Sequence, residues 1–483
     1  MNTSLPPTSI SSSIFNKGAI LDEVTVLLKV AAPLIFASLV NMGISITDVT
    51  MVSWIGTEAL AAGAVASDYY SLVFYLALGI VASVSPLVSQ ARGAKSKRDV
   101  RRYTQQGIWL AFIIGLPTVF LIWHADVAFA LVGVEQNITN TALPYAQMMA
   151  LTSLPMLMSM VWHYFLSAHQ KTRAILIIML ISLPINALGN YIFMHGLLGL
   201  PEMGLEGVGL SSLLTTFLML GMFITVVLND KQLKAYRLIK GLFKVDRVRL
   251  KEMFRLGVPM GMANLAELGV FMFSTILMGK FGAEALAAHA VALRLAGLLY
   301  SFPLGLAQAV TVRVGYAAGA SDKMALFRTT TAGLLVGVAV SVFSIALILI
   351  WQLDIAYLYL SQESVNTNTI YLAGSLLLAV AIMQPSDTLG TVCAGALRGI
   401  KDTRIPMWLS LFAFWAMGFV LGLVLAFVYD LHGIGIWIGL CVGSYCFFAL
   451  LFARVIYQYF QLRRQGNCEQ QDPELALISV KAD

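Results

Sequence analysis

Charge is scarce in this chain. Asp, Glu, Lys and Arg make up 12% of its 483 residues, and hydrophobic residues make up 59%. Water-soluble domains carry about 25% charged and about 45–50% apolar residues. A chain with this little polar surface cannot cover itself in water, so lipid must be its solvent, and composition excludes a soluble enzyme. Cysteine is scarce too. Cys393, Cys441, Cys446 and Cys468 show no metal-collecting spacing, and Cys441 and Cys446 fall in one apolar helix as small core residues. No phosphate loop or nucleotide motif supports ATP-driven pumping. No charge ring or filter string marks a channel. Residues 1–20 are rich in Ser, Thr and Pro and lack an apolar core, so they do not read as a secretory signal and the first apolar run is expected to direct insertion.

What the chain does have is apolar runs, recurring from about residue 24 to residue 460. A spanning helix needs roughly 20 apolar residues. The reading is twelve spans, at 27–53, 60–90, 104–123, 144–168, 174–195, 206–228, 256–280, 286–317, 328–351, 370–396, 406–428 and 433–460. No separate soluble domain fits between them. The formal net charge of +6 is not a nucleic-acid signal, because the basic residues sit in alternate loops. Arg92, Lys95, Lys97, Arg98, Arg101 and Arg102 share one loop, and Lys171 and Arg173 another. The long loop 229–255 is the most basic, and later loops hold Arg313, Lys323, Arg328, Arg398, Lys401 and Arg404. The intervening loops offer only Lys280. By the positive-inside rule the basic loops are cytoplasmic, as are both termini.

The chain also repeats itself. A shift of 226 residues puts Pro33 on Pro259, residues 56–62 (GTEALAA) on 282–288 (GAEALAA), Gly79 on Gly305 and Gly93 on Gly319. The same register returns where 205–209 (LEGVG) meets 431–435 (LHGIG). Six spans per copy return the chain to its starting side, so the copies insert in the same orientation. The expected fold is an all-α polytopic membrane protein, two six-helix bundles related by a pseudo-two-fold axis along the membrane normal. Its parts are a polar tail 1–23, a lobe 24–228, a basic cytoplasmic linker 229–255, a lobe 256–462 and a polar tail 463–483. The linker reads as an amphipathic helix on the membrane surface.

A charge in mid-bilayer needs a partner, a water-filled cavity or a function. Asp48, Asp68, Glu267, Arg294 and Asp387 fall within the first, second, seventh, eighth and tenth spans. Asp48, in the string ISITDVTM, is either a solvated acid near the outer end or a carboxylate facing a polar pocket. Asn186 and Asn190, four apart on one helix face, favour the pocket, and together the three offer oxygen ligands for Na+ or a titrating carboxyl for H+. Glu267 lies about mid-span. Asp387 follows Pro385, which frees a backbone carbonyl in the preceding turn. Asp68 and Arg294 are one repeat offset apart. They pair across the cleft on its outer side, or Arg294 pairs with Glu267, or Asp68 is merely solvated. Tyr69, Tyr70, Phe74, Met148, Met149, Met156, Met158, Met160 and Trp162 are candidate walls of a promiscuous cavity.

On residues 47–48 (TD), 56–62, 186–190 (NALGN), 263–267 (ANLAE), 287–293 (AAHAVAL), 312–315 (VRVG) and 394–402 (AGALRGIKD), the chain resembles the multidrug and toxic compound extrusion (MATE) family, in its bacterial NorM-like branch. The resemblance spans roughly residues 25–460. It implies export of cationic drugs and dyes driven by Na+ or H+, with no cofactor. It assigns Asp48, Asn186 and Asn190 to cation coupling in the first lobe, and Glu267, Tyr300 and Asp387 in the second. Na+ is expected at Asp48, Asn186 and Asn190 or at Glu267 and Asp387. One departure is Arg294, where relatives often carry Asn. The expected setting is a bacterial inner membrane, as a monomer in the lipid bilayer with small-molecule drugs or dyes as partners and no nucleic acid. The competing reading is a lipid-linked glycan flippase of the same superfamily, which needs basic cavity residues for pyrophosphate; the spans offer Arg294 alone.

Overall fold

The computed structural model describes residues 17–360 and 367–471, and every regular element among them is helical. Twelve of these helices are long and apolar enough to cross a membrane: α1 Gly18–Ile55, α2 Thr57–Gly93, α3 Lys97–Trp123, α4 Gln136–Ala168, α5 Thr172–Met194, α6 Gly204–Asn229, α7 Arg247–Lys280, α8 Ala283–Gly319, α9 Lys323–Ile355, α10 Thr369–Gly399, α11 Arg404–Phe427 and α12 His432–Leu462. Helices α1–α6 form the first lobe and α7–α12 the second. In each lobe the fourth helix is the hub: α4 packs on α2, α3 and α6, and α10 on α8, α9 and α12.

Many helices outrun their apolar runs at the basic end of the bundle. Helix α1 begins inside the expected tail 1–23, α7 begins at Arg247 instead of 256, and the last helix continues to Gln471 inside the expected tail 463–483. Residues 1–16 and 472–483 of those tails lie outside the described residues. The extra turns are polar and capped. Ser96 Oγ accepts from the Asp99 amide at 3.3 Å, and Asp246 Oδ1 from the Arg249 amide at 3.3 Å. Such turns satisfy the orphan amides of a helix start and carry no apolar signal.

The linker is not an amphipathic helix. Between Asn229 and Arg247 it holds one short 3-10 turn, Leu233–Tyr236, followed by further turns. Arg237 (φ 49°) and Gly241 (φ 85°) adopt left-handed backbone that interrupts a helix. Side chains of α3 also take the carbonyls that a helix would bond internally: Gln105 Nε2 donates to Leu238 O and Lys240 O, Gln106 Nε2 to Lys244 O, and Trp109 Nε1 to Leu242 O.

The repeated glycines mark where backbones meet. Gly56 (φ 144°) and Gly282 (φ 103°) begin α2 and α8 with backbone that other residues rarely adopt. A Cβ on Gly79 would strike the backbone of Gly261, and one on Gly305 the backbone of Ile35. A Cβ on Gly93 would meet Tyr316 O, and one on Gly319 would meet Gln90 O. Each of these contacts joins one lobe to the other.

Polar latches close the same end of the seam. Arg313 Nη2 donates to both carboxylate oxygens of Glu23 at 2.6 Å, and Thr329 Oγ1 donates to Glu23 Oε1 at 2.8 Å. On the other side Arg249 Nη2 donates to Asp99 Oδ1 at 2.5 Å and the Tyr103 hydroxyl to Glu252 Oε2 at 2.7 Å. Gln90 Nε2 donates to Gly399 O at 2.8 Å, and Gln308 Nε2 to Ser85 Oγ at 2.9 Å. Glu23 and Arg249 are one repeat offset apart, as are Tyr103 and Thr329. The two copies therefore latch at equivalent positions with opposite charge.

Gly79→Val tests this seam. The new side chain falls on backbone that cannot rotate away, so a stability loss of about 1–3 kcal/mol is expected from overpacking. Gly221→Ala, where nothing lies within 4 Å, is the control. Thermal unfolding of the purified protein in detergent reads both, and equal midpoints would contradict the packing described.

Candidate functional site

Two acidic clusters lie inside the helices, one per lobe. In the first, α1 brings Asp48 against α5 and α6. Asn190 Nδ2 donates to Asp48 Oδ1 at 2.6 Å, and Asn186 and Ser212 stand beside the same carboxyl. Asn186 Nδ2 lies 3.4 Å from Ser212 Oγ, and Ser211 Oγ donates to Asn186 O at 3.0 Å. The close α5–α6 approach depends on Gly189, where a Cβ would fall on Ser211 Oγ. The Tyr145 hydroxyl lies near the same carboxylate. Asn186 and Asn190 are buried, and the Oδ1 atom of each lacks a hydrogen-bond partner. A carboxylate beside two carboxamides with spare lone pairs suits a hard cation, which prefers oxygen ligands.

In the second lobe Glu267 of α7, Tyr300 of α8, and Asp387 and Thr391 of α10 come together. The Tyr300 hydroxyl lies beside Glu267 and Thr391, and the two carboxyls are near neighbours. Ser444 of α12 donates to Asp387 Oδ1, and Ser386 Oγ lies 2.9 Å from Ser444 Oγ. Within α11 residues Phe412–Phe419 form a π-helical stretch. Such wide turns are rare and recur at functional sites. This one carries Trp415, whose Nε1 donates to Ala266 O at 3.0 Å, one residue from Glu267. A cavity runs from Glu267 past Asn264 and Arg398 to Asp402 and Thr403 at the basic end.

The sequence-predicted residues therefore converge as two groups: Asp48, Asn186 and Asn190, and Glu267, Tyr300 and Asp387. Other expectations need correction. Arg294 does not pair with Glu267; the charged neighbour of Glu267 is Arg398. The cross-cleft pair is a separate case: Asp68 and Arg294 are both exposed, and among the described residues no ion pair joins them in this state. Of the aromatic and Met residues proposed as cavity walls, Tyr69, Tyr70, Met148, Met149, Met156, Met158 and Met160 are half-buried in the first lobe. Phe74 and Trp162 are buried, Tyr70 stacks on Phe74 at 5.1 Å, and Met156, Met158 and Met160 pack against the core. Cys393 is buried and free, Cys441 and Cys446 are free, and the side chain of Cys468 lies outside the described residues.

Ser212, Tyr145, Thr391, Ser444 and Arg398 were not singled out from sequence. Their one shared signal is a polar group at the depth of an acid on a neighbouring span. The histidine of the AAHAVAL string proves structural. Trp437 Nε1 can only donate, and it does so to His289 Nδ1 at 3.1 Å. The proton therefore sits on Nε2, 3.0 Å from Thr275 Oγ1, and the ring is held neutral. Among the described residues no three His, Cys, Asp or Glu side chains gather as a metal site.

Comparison with known proteins matches this architecture. The MatE family model matches residues 33–192 and 259–424, two segments that start one repeat offset apart. The chain is 35% identical over 436 residues to the "Probable multidrug resistance protein NorM" of Mesorhizobium japonicum, covering 89% of this chain and 93% of that one. It is 33% identical over 424 residues to the protein of the same name from Brucella suis, covering 87% and 90%. Among solved structures it superimposes on the eukaryotic MATE transporter AtDTX14 with a TM-score of 0.81 at 20% identity, covering 92% of this chain and 99% of that one.

Ser444→Ala tests the second cluster. Losing the donor to Asp387 is expected to cost about 1–3 kcal/mol of stability, read as a lower thermal midpoint in detergent. An unchanged midpoint would mean that Asp387 is held by other groups.

Proposed function

Because the chain belongs to the multidrug and toxic compound extrusion family, in its bacterial NorM-like branch, we propose that it is a secondary active antiporter. It exports cationic or amphipathic small organic compounds in exchange for H+ or Na+. The observation that carries this reading is the partner set of its membrane acids. Among the described residues, Asp48, Glu267 and Asp387 form no ion pair: Asn190 Nδ2 donates to Asp48 and Ser444 Oγ to Asp387, and Arg398 shares a cavity with Glu267 without bonding it. A buried acid paired with a base is already neutralised. One that no base meets at ion-pair distance needs a mobile cation to balance it.

In the first lobe, Asp48 with the carboxamide oxygens of Asn186 and Asn190 takes up the ion. In the second, Glu267 and Asp387 do so, with the Tyr300 hydroxyl beside Glu267. By the positive-inside rule the basic loops and both termini are cytoplasmic, in a bacterial inner membrane, and the chain works as a monomer without a cofactor. The seam closed at the basic end is then an outward-facing state, in which Asp68 and Arg294 stand apart. In the inward-facing state they pair across the outer side of the cleft. Ion and drug alternate because each changes the other's affinity by the same factor.

Three substitutions address the acids. Asp48→Asn, Glu267→Gln and Asp387→Asn should each slow ion-driven dye efflux by at least about tenfold, ~1.4 kcal/mol in barrier, with the protein still reaching the membrane. Dye efflux from vesicles with separately imposed Na+ and pH gradients identifies the coupling ion. Efflux driven by neither, or unchanged in all three variants, would refute the mechanism. For the outer pair, Asp68→Arg and Arg294→Asp should each impair efflux and their combination should restore it. No recovery in the double variant sinks the cross-cleft contact.

A further inference from the structure

The segment joining the lobes presents a surface that transport chemistry does not use. One side of it is strapped to α3 through the carbonyls of Leu238, Lys240, Leu242 and Lys244, bonded by Gln105, Gln106 and Trp109 at 2.6–3.0 Å, and Leu233 and Leu238 are buried. The other side is free and apolar at its tip. Phe243 is 87% exposed, Val248 79% and Ile239 63%. Around the tip stand Lys240, Lys244, Arg247 and Lys251, all exposed and in no ion pair among the described residues. The nearby acids do not compensate them. Asp99 and Asp246 are taken by Arg249, and Asp246 also by Arg102.

Position decides what covers this face. The straps come from residues 8–12 positions into α3, which at 1.5 Å per residue is roughly 12–18 Å along its axis. Directly beyond them, Phe112, Ile113, Leu116 and Phe120 of α3 are exposed, as expected of a helix face turned to lipid. The Trp109 ring, bonded to the segment, lies edge-on to Phe112 at 6.2 Å. The tip is thus continuous with the lipid-facing belt of α3, with an indole at the boundary where Trp concentrates and basic side chains at the rim. A cytosolic partner would have to compete with acyl chains for Phe243. A neutral leaflet would cover the apolar tip and leave four cations without counter-charge.

We propose that residues 239–251 are an anchor in the cytoplasmic leaflet. Ile239, Phe243 and Val248 enter the acyl region, and Lys240, Lys244, Arg247 and Lys251 contact the phosphates of anionic phospholipids. The anchor rests on the orientation given above, with the basic loops in the cytoplasm. Residues 239–244 are bonded to α3 of the first lobe and residues 247–251 open α7 of the second, so the anchor ties the junction of the lobes to the leaflet and anionic lipid fixes its depth.

The test uses the full chain in vesicles of phosphatidylcholine alone or mixed with phosphatidylglycerol. A nitroxide is placed by Phe243→Cys in a background with the four native cysteines changed to Ala. In anionic vesicles the label is expected to collide with oxygen more than with a water-soluble nickel complex, and to lie deeper than in neutral ones. Changing Lys240, Lys244, Arg247 and Lys251 to Gln should abolish that difference in depth. A label that stays in water in both vesicles overturns the anchor, as does protection that appears only after adding cytosolic protein. A depth difference that survives the four Gln substitutions overturns the phosphate contacts. None of these readouts requires transport, so failure of dye efflux to follow any ion gradient would count against the antiport reading alone.

Discussion

A carboxylate surrounded by hydrocarbon is several kcal/mol out of equilibrium unless something balances its charge. The positions of many helices here follow from where three such groups must be accommodated. Asp48 needs the amides of α5 at hydrogen-bonding distance, and α6 must approach closely enough for Ser212 to meet the Asn186 carboxamide. Asp387 takes a hydroxyl from α12, and α11 widens into a π-helical stretch whose Trp415 braces the turn beside Glu267. The solutions differ between the lobes although the folds repeat. The repeat equivalent of Asp48 is Ser274, and that of Glu267 is Asn41. Duplication accounts for the scaffold, and the acids belong to each lobe separately.

The same divergence appears where the lobes meet. Glu23 binds Arg313 and Thr329, while its repeat equivalent Arg249 binds Asp99. Asp68 and Arg294 repeat the pattern nearer the other end. Equivalent positions in a two-fold arrangement face related environments. Identical charges there would leave each latch to be met by a partner of one sign on both sides. Opposite charges make the two latches chemically distinct, so they can be released independently.

Architecture was legible in the sequence because lipid imposes it directly. Apolar length, alternate basic loops and a 226-residue shift were enough for twelve spans and two lobes. The acids were legible because charge in an apolar run is conspicuous, and Asn186 with Asn190 because amides four apart share a face. Ser444 and Thr391 were not, since a hydroxyl is cheap in a helix, where it can bond its own backbone, and its meaning depends on which helix lies opposite. The linker misled for a related reason. Its periodicity is compatible with an amphipathic helix, but Gln105, Gln106 and Trp109, more than a hundred residues away, claim its carbonyls. Arg398, near the end of a span, looked like a loop residue until the cavity placed it beside Glu267.

The glycine contacts between the lobes bear on how the molecule can move. Interlocking side chains must be withdrawn from their sockets before two helices can separate, which makes such a joint stiff in shear and abrupt in release. Gly79 against Gly261, Gly93 against Tyr316 and Gly319 against Gln90 are smooth backbone-to-backbone faces with nothing to withdraw. They resist compression, since nothing can come nearer, yet part without any side chain changing rotamer. At these glycines the inner seam behaves as a bearing surface, flanked by apolar side chains shared between the lobes and by the polar latches at its rim.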